Sequence, residues 1–406
     1  MSTTIKFRDY GAIALIALTL VACAFKPSFS AERRVPSSDL PTEREPDGVE
    51  PNVSDALKAT GTNKRAKTSA RLTEEEREKL SQAAMVEYNS ILEIANLERN
   101  GRVKVTDRFL IAYNTSDPYA EWIAALTDEV ADGFERFLRK MKLDGEPPKR
   151  PMYVFLFAQR SAMDAFEQTL YRLAGKLDEM GNRQNAPSGF YTPTVNRMVI
   201  YDQTEQEEAR VELSGADGDR KNKGKNMTRA QLTREARELK TRDNAVYNTE
   251  TIVHELTHQL SYNYGLLRRD GSAPSWYVEG LAMLFEPSDG NAPLGWRYKN
   301  VLPINSKRYA GFCHYANNAR DSSIIDELIA SDQPIRELSL DAYDVSWALV
   351  YYCYKKRSKE FVKFMKLCRD NPAPVDDPVA RKKSFEECFG KTSEFKTAFL
   401  KYMKSL

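Results

Sequence analysis

Histidine is the scarcest informative residue type in this 406-residue chain, with three examples. A strong charge of either sign is also lacking, because 60 Lys and Arg nearly balance 58 Asp and Glu. That balance gives no field favouring nucleic acid as a partner. Long apolar runs are absent beyond the N-terminal region, and the mean hydropathy of −0.57 excludes a protein that crosses a membrane many times. No C-x-x-C pair occurs, so neither a zinc ribbon nor a thioredoxin-type redox site is indicated.

Residues 1–24 have the form of a secretory signal, with a basic start and an apolar stretch at 11–24 that ends in small residues. The stretch is shorter than the roughly 20 residues that span a bilayer, so a retained membrane helix is the weaker interpretation. Two cleavage modes stay open. Residues 20–23 (LVAC) resemble a bacterial lipobox, which would lipidate Cys23 and attach the protein to a membrane, whereas 22–24 (ACA) satisfies the A-x-A rule of ordinary secretion. We therefore expect export, as a lipoprotein of the cell envelope or periplasm or as a secreted protein.

Export bears on the four remaining cysteines, which all lie in the C-terminal part. They are Cys313, Cys353, Cys368 and Cys388. An oxidising compartment permits one or two disulfides among them, and the three alternative pairings cannot be told apart from the sequence. The other interpretation is four free, buried thiols.

Composition divides the rest of the chain into three parts. Residues 25–71 are rich in Pro, Ser, Thr and charged residues, which predicts a disordered tether. Residues 72–245 alternate helical and strand-like patterns, with a charged insert near 203–244 that we interpret as a surface excursion rather than a binding patch or activation loop. Residues 246–406 are mainly helical. The pattern predicts an α+β fold, with a small mixed or antiparallel sheet and helices first and a mainly helical C-terminal part afterwards.

Several elements are predicted with their bounds. Thr73 followed by Glu76 predicts the start of a helix, since the pair forms a capping box. Alternation predicts strand across 102–113, with further strands at 151–157 and 197–202. Helical periodicity is clearest at 119–141, 161–177, 249–264, 276–285, 343–356, 359–369 and 394–404.

The most informative motif is H-E-x-x-H, formed by His254, Glu255 and His258 on a predicted helix. Residues four apart lie on one helical face, so both imidazoles can bind one metal ion while Glu255 reaches the adjoining space. The motif uses two of the three histidines in the chain. Chance would produce it in roughly two of a thousand chains of this composition. Two buried histidines that only make hydrogen bonds within the core are therefore the weaker interpretation.

A catalytic zinc ion needs a third protein ligand. Residues 276–282 (WYVEGLA) predict the start of a second helix that presents Glu279, which would complete a His2Glu set. His314 is the competing third ligand. The metzincin alternative needs a histidine six positions after His258, and Tyr264 is there instead.

These residues together resemble the gluzincin branch of the zinc metallopeptidases, specifically the exported bacterial peptidase MA-like families. Segments 189–202 and 343–349 add a weaker likeness. The resemblance implies a zincin-like fold built around a zinc-binding helix pair. It also implies one Zn²⁺ per chain, held by His254, His258 and Glu279, and a peptide or protein substrate.

The resemblance implies a general base as well. Glu255 would take a proton from the attacking water and later pass it to the leaving amine. Gluzincin aminopeptidases often carry an oxyanion-stabilising tyrosine at the sequence separation from the ligand glutamate at which Tyr343 stands. Tyr351, Tyr309 and His314 are rivals for this role, and a tyrosine packed in a helical core is the alternative interpretation of Tyr343.

Two departures from the family pattern stand out. Thermolysin-like enzymes orient a ligand histidine with an Asp four residues after the ligand glutamate, and here that residue is Met283, which leaves Asn248 or Asp344 as guesses. The G-x-M-E-N amine-recognition loop of many aminopeptidases is also missing, which favours an endopeptidase. The alternative function is a catalytically inactive zinc-binding or cell-envelope interaction module. The presence of Glu255 argues against that alternative, since metal ligation alone does not require it.

Overall fold

A computed structural model describes residues 72–173, 188–202, 243–287, 296, 302–318 and 323–406. The predicted signal, the predicted tether and residues 203–242 of the predicted insert lie outside these residues. The described strands are β1 (Arg102–Val105), β2 (Phe109–Tyr113), β3 (Met152–Phe157), β4 (Gly189–Thr192) and β5 (Arg197–Tyr201). The described helices are α1 (Glu74–Ile94), α2 (Asp117–Met141), α3 (Arg160–Leu173), α4 (Asp243–Asn263), α5 (Ser275–Phe285), α6 (Ser306–Asn318), α7 (Ser323–Ala330), α8 (Gln333–Arg336), α9 (Leu340–Lys356), α10 (Ser358–Asp370), α11 (Pro378–Phe389) and α12 (Thr392–Met403).

Local chemistry sets where the first helices begin and end. The predicted capping box of α1 is confirmed: the Glu76 N–H donates to Thr73 Oγ1 over 3.2 Å, and the Thr73 N–H donates to Glu76 Oε2 over 2.8 Å. Helix α2 begins after Ser116, whose hydroxyl accepts from the Tyr119 N–H, and ends at Lys142 in a left-handed conformation. Both helices are therefore specified largely by their own sequence.

The five strands form one mixed sheet in the order β1-β2-β3-β5-β4. The central pairs β2–β3 and β3–β5 are parallel, and the outer pairs β1–β2 and β4–β5 are antiparallel. Strand β4 is thus an edge strand. The chain has an α+β architecture, with this small mixed sheet and its helices followed by a helical C-terminal part.

Each face of the sheet is covered by helices, because alternate side chains of a strand point to opposite faces. On one face, Phe155, Phe157 and Val199 pack with residues of α1 and α3. On the other face, residues such as Val154 and Leu156 join a larger apolar core that includes α2, α4 and the C-terminal helices. This larger core joins the two parts of the chain that the composition separates.

The strand predicted across 102–113 is two strands. Residues 106–108 reverse the chain, because the Thr106 hydroxyl accepts from the backbone N–H groups of Arg108 and Phe109 and the Thr106 N–H donates to the Phe109 carbonyl. The alternating pattern continues through this turn, so the pattern alone does not reveal the reversal. The result is the β1–β2 hairpin at one edge of the sheet.

The C-terminal helices surround α9, which packs against α5, α6, α10 and α12. All thirteen residues from Ala342 to Tyr354 are buried. The four cysteines of this part are free thiols, with Cys313 half-buried and the other three buried. In the part of the chain that the structure describes, no helix is both long and apolar enough to cross a membrane.

Candidate metal centre

The two histidines of the H-E-x-x-H motif meet on the buried middle of α4. His254 is 7% exposed and His258 is 6% exposed. Their Nε2 atoms are 3.1 Å apart and their rings are nearly perpendicular, at 82°. Two ring nitrogens directed at the same small space suit two lone pairs that share one cation.

Helix α5 adds the third donor. Glu279 Oε2 lies 3.3 Å from His254 Nε2, and Glu279 Oε1 lies 3.6 Å from His258 Nε2. The residue after Glu279 controls how closely α5 approaches α9. A Cβ at Gly280 would lie 2.5 Å from the Ser346 carbonyl oxygen of α9. The glycine in the W-x-x-E-G segment thus lets α5 pack closely on α9 while Glu279 faces α4.

The three residues could hold one metal ion. The two histidine nitrogens are 3.1 Å apart, and each lies 3.3 or 3.6 Å from a different oxygen of the Glu279 carboxylate. These separations are similar to the roughly 3.3–3.4 Å between neighbouring ligands of a tetrahedral zinc ion with bonds of about 2.0–2.1 Å. Glu279 Oε2 is also a buried oxygen without a hydrogen-bond partner of ordinary geometry among the described residues. Two imidazole nitrogens and one carboxylate oxygen are the ligand types that catalytic zinc uses.

Electrostatics in the metal-free site indicate that the position favours positive charge. Burial alone would lower the pKa of His254, but the adjacent carboxylates of Glu279, Glu286 and Glu255 raise that pKa to about 10. Burial would raise the pKa of Glu279, but the two histidines lower it well below its usual value. A bound cation would replace the proton that these carboxylates stabilise.

Glu286, directly after α5, orients the first ligand histidine. Its Oε1 lies 2.8 Å from His254 Nδ1. Arg308 and His254 outweigh burial and lower the pKa of Glu286, so it is a carboxylate that can only accept, and His254 Nδ1–H must donate. When a metal ion displaces the other proton, the Nε2 lone pair of His254 is left to bind it beside Glu279. The sequence analysis missed Glu286, although its spacing of seven residues from Glu279 places both on one side of α5.

A buried layer of polar residues supports Glu286 in turn. Asn305 Nδ2 donates to Glu286 Oε2 over 2.8 Å, and Arg308 Nε lies 3.6 Å from the same oxygen. Arg308 Nη1 donates to Asp344 Oδ1 over 3.3 Å. Asp344 is therefore separated from the histidine by two residues, Glu286 and Arg308, instead of contacting it as guessed from the sequence. The side chain of Asn248 lies outside the described residues. Met283, at the position of the missing Asp, belongs to the apolar core.

We call His254, His258 and Glu279 together the metal group. Glu255 lies between the metal group and the edge of the sheet. It is 2% exposed, and its Oε2 accepts a hydrogen bond from the Tyr191 backbone N–H of β4 over 2.8 Å. The pairing of β4 with β5 needs a small residue at Gly189, where a Cβ would lie 2.7 Å from Ile200 Cγ2 and 3.1 Å from the Val199 carbonyl oxygen. The edge strand thus holds one oxygen of the predicted general base.

The predicted oxyanion donor, Tyr343, and the three rivals named for its role have different surroundings in the C-terminal helices. Tyr343 is 2% exposed at the start of α9, with the guanidinium carbon of Arg308 6.0 Å from its ring centroid. Tyr351 stacks on Trp347, and the Tyr309 hydroxyl donates to the Met403 carbonyl of α12. His314 is exposed on α6. The metal-binding group found among the described residues contains His254, His258 and Glu279, without His314.

Tyr262 is a further phenol near the site that the sequence analysis missed. It is four residues after His258 on α4, and helical side chains lean toward the preceding turn. Its ring packs on Tyr191 with the centroids 5.6 Å apart. Burial, followed by the charges of Tyr191 and Glu279, raises its pKa far above the usual value, so the phenol stays neutral. The i+4 spacing from His258 was the available sequence signal.

Comparison with known families covers this centre. Residues 248–376 match the sequence model of a family described as "Protein of unknown function (DUF1570)". The match includes α4 from residue 248 onward and all of α5, and it extends through α10. No curated protein matches the chain.

Proposed function

We propose that this protein is a zinc-dependent peptidase of the gluzincin type with a zincin-like fold around α4 and α5. The observation that carries the proposal is the convergence of His254, His258 and Glu279, whose ligand atoms lie 3.1 to 3.6 Å apart, with the carboxylate of Glu255 on the adjoining helical face. One Zn²⁺ per chain would bind at these three residues. When bound, zinc supplies Lewis acidity that activates water and the scissile carbonyl for hydrolysis.

The protein's own residues would handle the protons. Glu255 is the general base: it takes a proton from the attacking water and later returns it to the leaving amine. The Tyr191 N–H holds one carboxylate oxygen of Glu255, which fixes the direction of the other. Glu286 keeps the proton of His254 on Nδ1 and so keeps its Nε2 available to the metal. Tyr343 remains the predicted hydrogen-bond donor to the oxyanion, and Tyr262 is a second phenol that could donate this hydrogen bond.

A peptide substrate is supported by the position of β4. Among the described strands, only β5 pairs with β4, and the backbone N–H of Tyr191 on the other side of β4 is donated to Glu255. An extended peptide can add to a strand edge through main-chain hydrogen bonds, here with the groups of this edge other than the Tyr191 N–H. A peptide seated there would run past the general base.

The central test compares bound zinc and cleavage of a peptide library for wild type, Glu255→Gln and Glu279→Gln, with His314→Ala as the matched histidine control. We expect wild type, Glu255→Gln and His314→Ala to bind about one zinc, while Glu279→Gln loses it. Cleavage should fall roughly 10²–10⁴-fold in Glu255→Gln and stay unchanged in His314→Ala. Full activity of Glu255→Gln would remove this residue from the mechanism. If wild type and the variants bind zinc but none of them, wild type included, cleaves a peptide, the inactive zinc-binding module is favoured.

We also propose that the peptidase is exported. The support is the signal-like sequence of residues 1–24, with either lipidation at Cys23 or simple cleavage. Metabolic labelling with palmitate should mark the wild type and not Cys23→Ala if the protein is a lipoprotein. Secretion of an unlabelled wild type would favour simple cleavage, and retention in the cytoplasm would contradict export.

A further inference from the structure

A cluster of hydrogen bonds outside the metal group joins the β4–β5 hairpin to the end of α4. We call its four side chains, Tyr191, Asn196, Asn263 and Arg269, the hairpin latch. Arg269 Nη1 donates to the Tyr191 hydroxyl over 2.7 Å and to the Pro193 carbonyl over 2.8 Å. Arg269 Nη2 donates to Asn263 Oδ1 over 3.1 Å. One guanidinium therefore contacts both the hairpin and the helix.

The two asparagines close the latch from the other side. Asn263 Nδ2 donates to Asn196 Oδ1 over 2.8 Å, and Asn196 Nδ2 donates to Asn263 Oδ1 over 3.0 Å. The Tyr191 hydroxyl donates to Asn196 Oδ1 over 2.9 Å. Asn196 is in the hairpin turn with φ +55°, a left-handed conformation that asparagine tolerates better than most residues. The turn is thus shaped to present its amide to the latch.

Tyr191 connects the latch to the chemistry of the site. Its side chain is a member of the latch, and its backbone N–H is the donor to Glu255 Oε2. Strand β4 is an edge strand of four residues, so within the described sheet only β5 pairs with it. The latch supplies a second attachment, from the end of the same helix that carries Glu255.

We propose that Arg269 is a positioning residue, which acts through Tyr191 to hold the backbone N–H of β4 against the carboxylate of Glu255. The catalytic consequence rests on the proposed peptidase function, whereas the attachment of β4 does not. A misplacement of a reacting group by about 1 Å can cost up to a hundredfold in rate. We therefore expect loss of the guanidinium to reduce turnover without removing any metal ligand.

The test compares Arg269→Ala with Arg268→Ala in the full zinc-loaded chain. Arg268 is the matched control, because it is also exposed and its guanidinium contacts Asp270 instead of the hairpin. Arg269→Ala should exchange the amide hydrogens of β4, Tyr191 included, roughly three- to tenfold faster than wild type. Its kcat should fall about tenfold, with KM and zinc affinity unchanged. Arg268→Ala should match wild type in all four measurements.

Two further variants distinguish positioning from general loosening. Arg269→Lys should recover part of the turnover, since one ammonium group cannot donate in a fork to both Tyr191 and Asn263. Tyr191→Phe keeps the backbone N–H, and its effect on kcat should not add to that of Arg269→Ala. Unchanged exchange in β4, unchanged kcat beside active wild type, or loss of zinc affinity along with turnover would each overturn the proposal. Inactive wild type would refute the peptidase function, and the exchange measurement would still decide whether Arg269 holds β4.

Discussion

His254 has two ring nitrogens with different tasks. Nδ1 donates to Glu286, and Nε2 faces His258 and Glu279. A metal-bound imidazole is neutral and carries one proton, so fixing that proton on Nδ1 decides which nitrogen binds the metal. The carboxylate of Glu286 is therefore as relevant to metal affinity as the position of the histidine itself.

Glu286→Gln should weaken zinc binding about 10- to 100-fold, which is the usual effect of removing a carboxylate that orients a ligand histidine. The amide keeps the size of the side chain but removes its charge beside Arg308 and His254. Zinc affinity is measured by competition with a chelator of known affinity. Glu337→Gln, an exposed glutamate that contacts Gln333, is the control and should bind zinc like wild type. Equal affinity in Glu286→Gln would contradict this role.

Glu250, one turn before His254, makes the stability of the metal-free protein depend on pH. Burial and the charge of Glu286 raise its pKa to about 7, against the opposing effect of Lys307 and Arg308. A carboxyl group with a raised folded-state pKa stabilises the fold fully below its unfolded pKa of 4.5 and loses that contribution as pH rises through 7. The loss amounts to about 3 kcal/mol at most.

Glu250→Gln removes this ionisation. In the presence of EDTA we expect the variant to exceed wild type in free energy of unfolding at pH 8, with the difference shrinking toward pH 5. Urea denaturation at both pH values measures it. His254, whose raised pKa acts in the same direction, is common to both proteins and cancels in the comparison. A difference independent of pH would show that Glu250 does not titrate as described.

At the scale of elements, the sequence predicts α4 and α5 because both helices have a clear apolar period, and the H-E-x-x-H and W-x-x-E-G segments lie on them. Helix α2, predicted at 119–141, begins two residues earlier, and α5, predicted at 276–285, begins one residue earlier. Short elements such as α7 and α8 have little period to read and were not predicted. The partner of His254 was not predictable either, because Glu286 acquires its role only when α5 packs against α4 and Arg308 of α6 approaches its carboxylate. The H-E-x-x-H face was predictable because one helical turn fixes it.

Gly280→Ala should separate α5 from α9. The added Cβ would lie 2.5 Å from the Ser346 carbonyl oxygen and 2.5 Å from Val350 Cγ2, and a backbone carbonyl cannot move aside easily. Such overpacking typically costs about 1–3 kcal/mol. We expect a lower midpoint in urea and weaker zinc binding, since Glu279 is the preceding residue.

The double variant Gly280→Ala with Val350→Ala tests the cause of that loss. It removes the clash with the valine and leaves the clash with the carbonyl, so recovery should be partial. Val350→Ala alone supplies the baseline. Wild-type stability and zinc affinity in Gly280→Ala would show that the two helices can separate without cost.

At the scale of the whole molecule, the metal group lies where the sheet and the helical part share one apolar core. Helix α4 packs against α2, β4 and β5 on the sheet side and against α5 on the other. Phe134 of α2 and Phe285 of α5 have ring centroids 5.7 Å apart within this core. A ligand that joins α4 to α5 should therefore stabilise the folded chain as a unit.

Zinc should raise the free energy of unfolding by about 4 kcal/mol at a free concentration 1,000 times its Kd, because it binds the folded state alone. Thermal unfolding with buffered zinc or EDTA measures the shift. Glu255→Gln should show the wild-type shift, whereas Glu279→Gln should show almost none. An equal shift in all three proteins would indicate that zinc binds elsewhere.

The four thiols of the helical part have a consequence for the chemical reactivity of the folded chain. Burial raises the pKa of the thiols of Cys353, Cys368 and Cys388. The pKa of Cys368 reaches about 12. Thiol chemistry proceeds through the thiolate, so these sulfurs resist oxidation and alkylation for as long as the chain stays folded. Cys313, half-buried on α6, is the sulfur that an alkylating reagent should reach first. Sulfur reactivity can thus report on unfolding of the chain, including in the oxidising compartment to which the proposed export would deliver it.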